Sequence, residues 1–473
     1  MAAPIHFWLN NEELRCNEPP GLSVLDYLRK RRRLVGTKEG CKEGDCGACT
    51  VLVGELQGRQ VIYRPMTSCL MPLGELHGKH LVTIEGINRP ELNPVQQAIV
   101  QEGATQCGFC TPGIVMSLMG YIMQKGQVVD ARGIKRWLSG HLCRCTGYRS
   151  LKAVAGHLQT SVGDRPGIEN LIRNRWLPEY FAHMPRRLAR IAPPVHRDGK
   201  PENRLIIAGG TDIYVQRGEE LPEAEVFLFN LMPKPKGIRL SGKALHIGAL
   251  TTFEELAAHA QVRRLIPRIR EYMHLIASLQ IRHRATVGGN IINASPIADI
   301  VILFLALDVR LVLQKGRQRR VLPLRQFYLG YKRTDQRPGE ILVEVQIPRD
   351  VEGCRIHFEK VSKRRTLDIA SVNSAVCLRS NDDGTIEGAA VAVGGVAPVP
   401  LFLERTSRFL EGKSCRPETV LQAVEIAMTE ISPISDVRGS ADYKRLLTRQ
   451  LIIAHFTTLF PDKMQVREFY EVH

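Results

Sequence analysis

The 473-residue sequence predicts an α+β chain built from several domains. Three observations carry that expectation. At this length roughly three or four domains are expected, each with a core of its own. Eight of the 12 cysteines fall into two groups at ligand-like spacing within the first third of the chain. After about residue 186, short apolar runs alternate with helical stretches, with no internal repeat and no low-complexity tract.

Residues 1–88 alternate strand-like runs at 5–9, 50–56, 60–66 and 80–84 with one helical stretch at 24–33. Within them Cys41, Cys46, Cys49 and Cys69, set in CKEGDCGACTVL and beyond, read C-x4-C-x2-C followed by a distant C. That is the spacing by which plant-type ferredoxins hold a [2Fe–2S] cluster. Two bridged irons need four converging thiolates, and one tight loop plus a neighbouring strand end supplies them. Gly40, Gly44 and Gly47 let the loop wrap closely, and its N–H groups can then tune the potential. Four unrelated buried thiols is the alternative, and spacing and glycines together argue against it. A small ferredoxin-like β-grasp domain is predicted here.

Residues 89–160 turn helical, at 94–102, 114–124, 131–138 and 150–158, and predict a compact four-helix unit. Cys107 and Cys110 (QCGFCTPG) precede the second helix, where Pro112 fits an early position and the helix dipole favours a thiolate. Cys143 and Cys145 (HLCRCTGY) precede the fourth. Four thiolates at two helix starts suit zinc or a second cluster. CxxC…CxxC is the usual zinc pattern, a CxC arm is less typical of it, and beside the first motif a second [2Fe–2S] cluster is the better reading. Cys16, Cys354, Cys377 and Cys415 have no partners at ligand spacing and read as small buried apolar side chains.

Residues 161–185 lose periodicity among Gly, Pro and mixed charge and read as a linker. Residues 186–350 and 354–473 form two further α+β sections. The second has strands at 356–361, 371–380 and 385–396, then helices at 418–430 and 442–460. The net charge of +17 invites a nucleic-acid partner. The basic residues, however, lie in scattered short runs (29–33, 186–190, 317–320, 363–365), with no recognition helix and no stripe interleaved with aromatics. A positive surface suits an acidic dinucleotide or an acidic partner subunit instead. Eight thiolates need a reducing compartment or a cluster-loading system. No basic-then-apolar leader opens the chain, and no run of about 18 apolar residues occurs, so a cytoplasmic protein off the membrane is expected.

The third chemical signal is Leu205-Ile206-Ile207-Ala208-Gly209-Gly210-Thr211-Asp212, an apolar strand entering a Gly-Gly turn. Such turns present successive N–H groups to a pyrophosphate. A second segment, Ala285-Thr286-Val287-Gly288-Gly289-Asn290-Ile291-Ile292-Asn293-Ala294-Ser295-Pro296, repeats the Gly-Gly with Asn and Ser nearby. Either alone is a weak signal, and no GxGxxG fingerprint occurs.

Taken in order, these motifs resemble the iron–sulfur and flavin portion of the xanthine dehydrogenase family of molybdenum hydroxylases. The resemblance continues through Lys360–Arg365, Asp368–Ala370, Gly394–Pro398 and Asp436–Tyr443, and so spans essentially the whole chain. It implies an FAD-binding domain of the vanillyl-alcohol-oxidase/CO-dehydrogenase flavoprotein type at 186–350 and a C-terminal α+β flavoprotein domain at 354–473. It implies that Cys41, Cys46, Cys49 and Cys69 bind the cluster nearer the flavin. Cys107, Cys110, Cys143 and Cys145 would bind the one facing a molybdenum cofactor on a partner chain, with Gln106 approaching its pterin. Leu205 to Ile213 would run along the FAD pyrophosphate. Ala285, Thr286, Gly288, Gly289, Asn290, Asn293, Ser295, Asp299 and Lys360 would complete the flavin pocket.

By the same resemblance, electrons from hypoxanthine or xanthine would reach NAD through two [2Fe–2S] clusters and FAD. The partner would be a large molybdenum-cofactor subunit, in a dimer of heterodimers. Aldehydes or other N-heterocycles are the alternative substrates. The transfers need no general acid, base or nucleophile, so no catalytic residue is named. Two positions depart from the family pattern. His141 stands where GNLCRC has asparagine, and reads as a tolerated substitution or an extra donor near the cluster. Ile276 falls where some relatives carry an aromatic beside the flavin.

Overall fold

The structure is a computed structural model that describes residues 4–124, 129–162, 167–192, 204–232, 236–381 and 383–469. The chain forms two compact units. One comprises Met1–Met232 with Ser278–Ala285; the other comprises Pro233–Ala277 with Thr286–His473.

The first unit opens with a five-stranded sheet of β1 (Ile5–Leu9), β2 (Glu12–Cys16), β3 (Thr50–Gln57), β4 (Gln60–Thr67) and β5 (His80–Val82), in the order β2-β1-β5-β3-β4. β1 and β5 run parallel and the other pairs antiparallel. Alternation along β3 explains why both faces are buried. Val51 and Val53 join a core with Phe7, Val24 and Leu28, whereas Leu52 joins one with Ile114, Leu118 and Trp137. The helix over the first face begins at Val24–Asp26, capped by the Ser23 hydroxyl, and continues as a π-type turn over Tyr27–Arg31. β2 escaped the periodicity reading because EELRC is a half-exposed edge strand with little apolar content. Its signal was the Asn10-Asn11 turn, with Asn10 at φ +54°.

All four predicted helices form, at Pro94–Gln101, Thr111–Ile122, Ala131–Leu138 and Arg149–Val162. Asn93 and Gln96 make a reciprocal capping box at the first. The expected linker 161–185 behaves differently, with its residues 163–166 outside the described set. Ile168–Arg173, Glu179–His183 and Met184–Leu188 are helical turns. They bury Leu171, Trp176, Leu177, Phe181, Met184 and Leu188 in the same core as the four helices. Gly and Pro hid that apolar content by interrupting its period.

The boundary near residue 186 does not coincide with a boundary between compact units. Leu205–Ile207 pairs in parallel with Val226–Leu228, and Ile207, Leu221 and Leu228 pack with Leu25, Cys49, Cys69 and Leu70. A three-residue strand pair cannot bury its own apolar face, so it uses the neighbouring core.

The second unit holds the two-stranded pair Tyr328–Gly330 with Arg333–Thr334 and two larger antiparallel sheets. One orders Gln318–Pro323, Arg310–Lys315, Ile341–Pro348, Ala244–Gly248 and Ile238–Ser241; the other orders Arg355–Val361, Val372–Ser380, Ile386–Gly394 and Leu401–Phe402. The helix Asp299–Ala306 (DIVILFLA) is apolar on every side beyond Asp299 and fully enclosed, which is what such a run requires. Pro417–Glu430 and Ala441–Leu459 close the second sheet around Val376, Val391, Val424, Ile452 and Phe456. No helix among the described residues is long and apolar enough to cross a membrane.

The 19-residue helix Ala441–Leu459 starts on the Ser440 hydroxyl, which accepts from Tyr443 N–H at 3.2 Å. Ser440→Ala is expected to cost about 1 kcal/mol, read as a lower denaturation midpoint at unchanged slope.

Candidate functional site

Cys41, Cys46 and Cys49 lie on the loop that enters β3, and Cys69 lies in the 3₁₀ turn Ser68–Leu70 that leaves β4. The strand pairing itself brings Cys49 and Cys69 together, with sulfurs 3.4 Å apart. Cys41 Sγ accepts the N–H of Glu43 at 3.3 Å and of Cys46 at 3.4 Å. The Cys46 thiol and these amides pull the Cys41 thiol down to about 5, against partial burial, and Cys46 is raised in turn. Cys49 is lowered by the Cys69 thiol despite burial, and Cys69 is raised. Four sulfurs thus stand as two pairs.

The second set repeats the pattern. The Phe109 N–H and then the Cys145 thiol lower Cys107, and Cys145 is raised. Burial and the Cys143 thiol push Cys110 up to about 12. Burial opposes ionisation of Cys143, but the Thr146 hydroxyl, 3.0 Å away, the N–H groups of Thr146 and Cys145 and the Cys110 thiol together lower it. A zinc ion takes four ligands around one centre, whereas two bridged irons take two thiolates each. Two pairs per set fit the second arrangement. Among the described residues, no group of three or more His, Cys, Asp or Glu side chains is disposed to hold a single ion.

The two sets meet at Gly47. Its φ of +71° suits glycine, and a Cβ there would lie 2.3 Å from Gly140 O and 2.5 Å from His141 Nδ1. Leu142 N–H donates to Cys46 O at 3.0 Å. One hydrogen bond therefore joins a cysteine of the first set to the residue preceding Cys143. Tyr148 Oη accepts from Cys143 N–H at 3.0 Å and donates to His141 O at 3.1 Å. The sets differ in exposure. Cys49 and Cys69 are buried and Cys41 and Cys46 half-buried, whereas Cys107, Cys145, Phe109 and Leu142 are exposed beside half-buried Cys110 and buried Cys143. Gln106 Nε2 donates to Cys145 O at 3.2 Å on the same exposed side. His141 is buried, and burial holds its imidazole down at about 3.

The Gly-Gly turn after Leu205–Ile207 belongs to the first unit. A Cβ at Gly209 would meet Arg284 O at 2.1 Å, and one at Gly210 (φ +79°) would meet Leu70 O at 2.6 Å. Arg284 clamps the turn, donating from Nη2 to Gly209 O at 2.7 Å and to Glu75 at 2.8 Å. Lys79 approaches the same carboxylate at 3.6 Å and Glu55 at 2.6 Å. Thr211 and Asp212 follow the turn and lead into the short helix Ile213–Arg217.

Ala285 ends the first unit, and Thr286 begins the next segment of the second. Thr286 caps the helix Val287–Ile292, accepting from Gly289 N–H at 3.1 Å. Gly288 is pressed on Ala249, where a Cβ would lie 2.7 Å from the alanine Cβ. Asn293 accepts the Lys332 ammonium through Oδ1 at 2.9 Å, and Ser295 Oγ accepts from Ile297 N–H at 3.4 Å. Asp299 pairs with Lys360 at 2.7 Å and accepts from Asn373 Nδ2 at 2.6 Å. Lys360 also donates to Leu275 O at 3.0 Å. Asn290 Oδ1 and Asn373 Oδ1 are buried without a partner among the described residues, which fits a polar group bound beside them.

Four family models match in series: a 2Fe-2S iron-sulfur cluster binding domain over 8–73, a [2Fe-2S] binding domain over 83–155, the FAD binding domain in molybdopterin dehydrogenase over 183–350, and the CO dehydrogenase flavoprotein C-terminal domain over 357–459. The chain belongs to the iron–sulfur/flavin part of the molybdenum hydroxylase family. Xanthine dehydrogenase/oxidase of Rattus norvegicus is 30% identical over 96% of this chain and 39% of its own length. Xanthine dehydrogenase of Drosophila pseudoobscura pseudoobscura is 27% identical with the same coverages. The chain thus spans about two-fifths of these curated relatives. A chain of the reconstituted CO dehydrogenase from Oligotropha carboxidovorans superposes with TM-score 0.51 at 29% identity, over 55% of this chain and 90% of that one.

Sequence reasoning missed Arg284 and Asn373. The signal for Asn373 was an amide inside the apolar strand run VNSAV. Arg284 had none, because its partners Glu75 and Gly209 are remote in sequence.

Two outcomes follow from the geometry. Gly47→Ala is expected to displace the cysteine loop and reduce bound iron from about four to about two per chain, measured by iron assay. Arg284→Met leaves a buried carboxylate short of a partner and is expected to cost about 3 kcal/mol. Burial opposes ionisation of Glu75, but the charges of Arg284 and Lys79 hold its pKa below the ordinary value. That stabilisation is present above the ordinary glutamate range and is lost as pH falls through the lowered value. The stability gap between wild type and variant should therefore narrow in acid.

Proposed function

We propose that this chain is the electron-carrying subunit of an NAD-dependent xanthine dehydrogenase whose molybdenum cofactor sits on a partner chain. When bound, the two [2Fe–2S] clusters supply one-electron carriage and FAD exchanges electrons with NAD, while the hydroxylation itself belongs to the partner's molybdenum cofactor. In this reading Cys41, Cys46, Cys49 and Cys69 hold the buried cluster, and Cys107, Cys110, Cys143 and Cys145 hold the exposed one. Gln106 and the exposed side of the second set face the partner. Residues 205–213 line the FAD pyrophosphate. Ala285, Thr286, Gly288, Gly289, Asn290, Asn293, Ser295, Asp299 and Lys360 contribute the rest of the flavin site.

The observation that carries the reading is the pair of thiol quartets, each split into two pairs and joined by Leu142 N–H to Cys46 O. A buried carrier beside an exposed one suits passage from a partner surface inwards. Xanthine is favoured as substrate by relatives named for it that align over 96% of this chain. A related hydroxylase acting on aldehydes or other N-heterocycles would use the same chain, and the structural likeness to CO dehydrogenase favours a substrate other than xanthine only in that general sense. Assembly as a dimer of heterodimers in the cytoplasm completes the proposal.

The test is an anaerobic absorption spectrum of the chain, with its partner if they co-purify, before and after NADH. Bleaching of flavin and cluster bands by NADH is expected. Bleaching by dithionite but not by NADH would remove NAD as the acceptor.

A further inference from the structure

His141 lies in a buried polar cluster whose protons can be assigned. Gln280 Nε2 lies 3.3 Å from Trp137 O and 2.9 Å from Ser117 Oγ. A main-chain carbonyl only accepts, so the amide nitrogen, not its oxygen, must face Trp137. Its two hydrogens then go to Trp137 O and Ser117 Oγ. Ser117 Oγ also lies 2.7 Å from His141 Nε2, where the hydroxyl hydrogen is free to be given while the oxygen accepts from Gln280. The Gln280 nitrogen also lies 3.1 Å from that ring nitrogen, as a donor group near an acceptor. Gln280 Oε1 turns away, against Gly140, where a Cβ would lie 2.1 Å from it.

An imidazole that accepts at Nε2 carries its hydrogen on Nδ1. That Nδ1 is buried and has no hydrogen-bond partner among the described residues. It rests against Gly47, the residue between Cys46 and Cys49. Leu142 N–H, one residue along, is tied to Cys46 O, so the imidazole is held against the first cysteine loop. A buried donor left without a partner is costly, and the sulfurs of a bound cluster are acceptors.

We infer that the Nδ1–H of His141 is a hydrogen-bond donor to the sulfur of the cluster held by Cys41, Cys46, Cys49 and Cys69, and that it raises the potential of that cluster. The inference rests on the cluster assignment proposed above. Donors to sulfur favour the reduced, more negative state. Ser117 and Gln280 are positioning residues, since they fix which ring nitrogen carries the hydrogen. The bond would run from the segment of one cluster to the sulfur of the other, so the residue preceding Leu142 would set the potential of the first cluster and not of its own.

The test is an EPR redox titration of the intact protein, in which Cys145→Ser marks the couple of the second set. His141→Leu removes the donor. At a fixed poise the reduced-to-oxidised ratio of the first cluster is expected to fall about tenfold, which is about 59 mV for a one-electron couple. The second couple should stay in place. His141→Asn keeps an amide N–H and should lie nearer the wild type. An unchanged first couple in a fully iron-loaded His141→Leu protein, or equal movement of both couples, overturns the inference. Where that variant fails to hold iron, wild type labelled with ¹⁵N in histidine alone decides. Nitrogen coupling to the reduced first cluster supports the bond, and its absence overturns it. A wild-type chain with no cluster signal overturns the proposed function instead.

Discussion

Two loops of cysteines touch at Gly47, and much of the first unit is arranged around that contact. Side-chain bulk at this position would collide with the carbonyl of Gly140 and the ring of His141. Without it, Leu142 N–H reaches Cys46 O, and two thiol quartets that belong to different folding motifs become neighbours. Gly113 adds to the closeness, because a Cβ there would lie 2.3 Å from Gly47 O. The approach is backbone to backbone, so it tolerates little adjustment.

The same unit carries a buried ion cluster at the Gly-Gly turn. Arg284 spans the Gly209 carbonyl and Glu75, and Lys79 and Glu55 complete the charge balance. Buried charges are costly unless paired and fully bonded, so this cluster prescribes where the turn sits relative to the β-grasp domain. In the second unit a comparable role falls to Asp299. Its two oxygens take Lys360 and Asn373 from two adjacent strands and tie the head of an enclosed apolar helix to the second sheet.

Most of the candidate site was legible in the residue order. Cysteine spacing marked both sets, because metal–thiolate chemistry constrains local separation. Periodicity marked the four helices and the long strands, because burial on one face repeats at 3.6 or 2 residues. The failures share a cause. The stretch 161–185 folds onto the core of the four helices with Trp176, Leu177 and Phe181, yet its apolar residues recur at no fixed period. The edge strand Glu12–Cys16 is defined by its pairing with Ile5–Leu9 and not by its own composition.

The sequence by itself determined which chemistry the chain is equipped for: eight thiols at ligand spacing, two glycine turns and the order of four family domains. Those are local properties, set by covalent separation and residue type. Only the tertiary structure decided that the sulfurs stand in pairs, that Arg284 grips Gly209, and that His141 lies against Gly47. The contacts of Arg284 and His141 join residues about 70 or more apart in sequence, and the Cys49–Cys69 pair depends on strand register. Side-chain identity alone carries no record of distances that are created when separate cores are packed together.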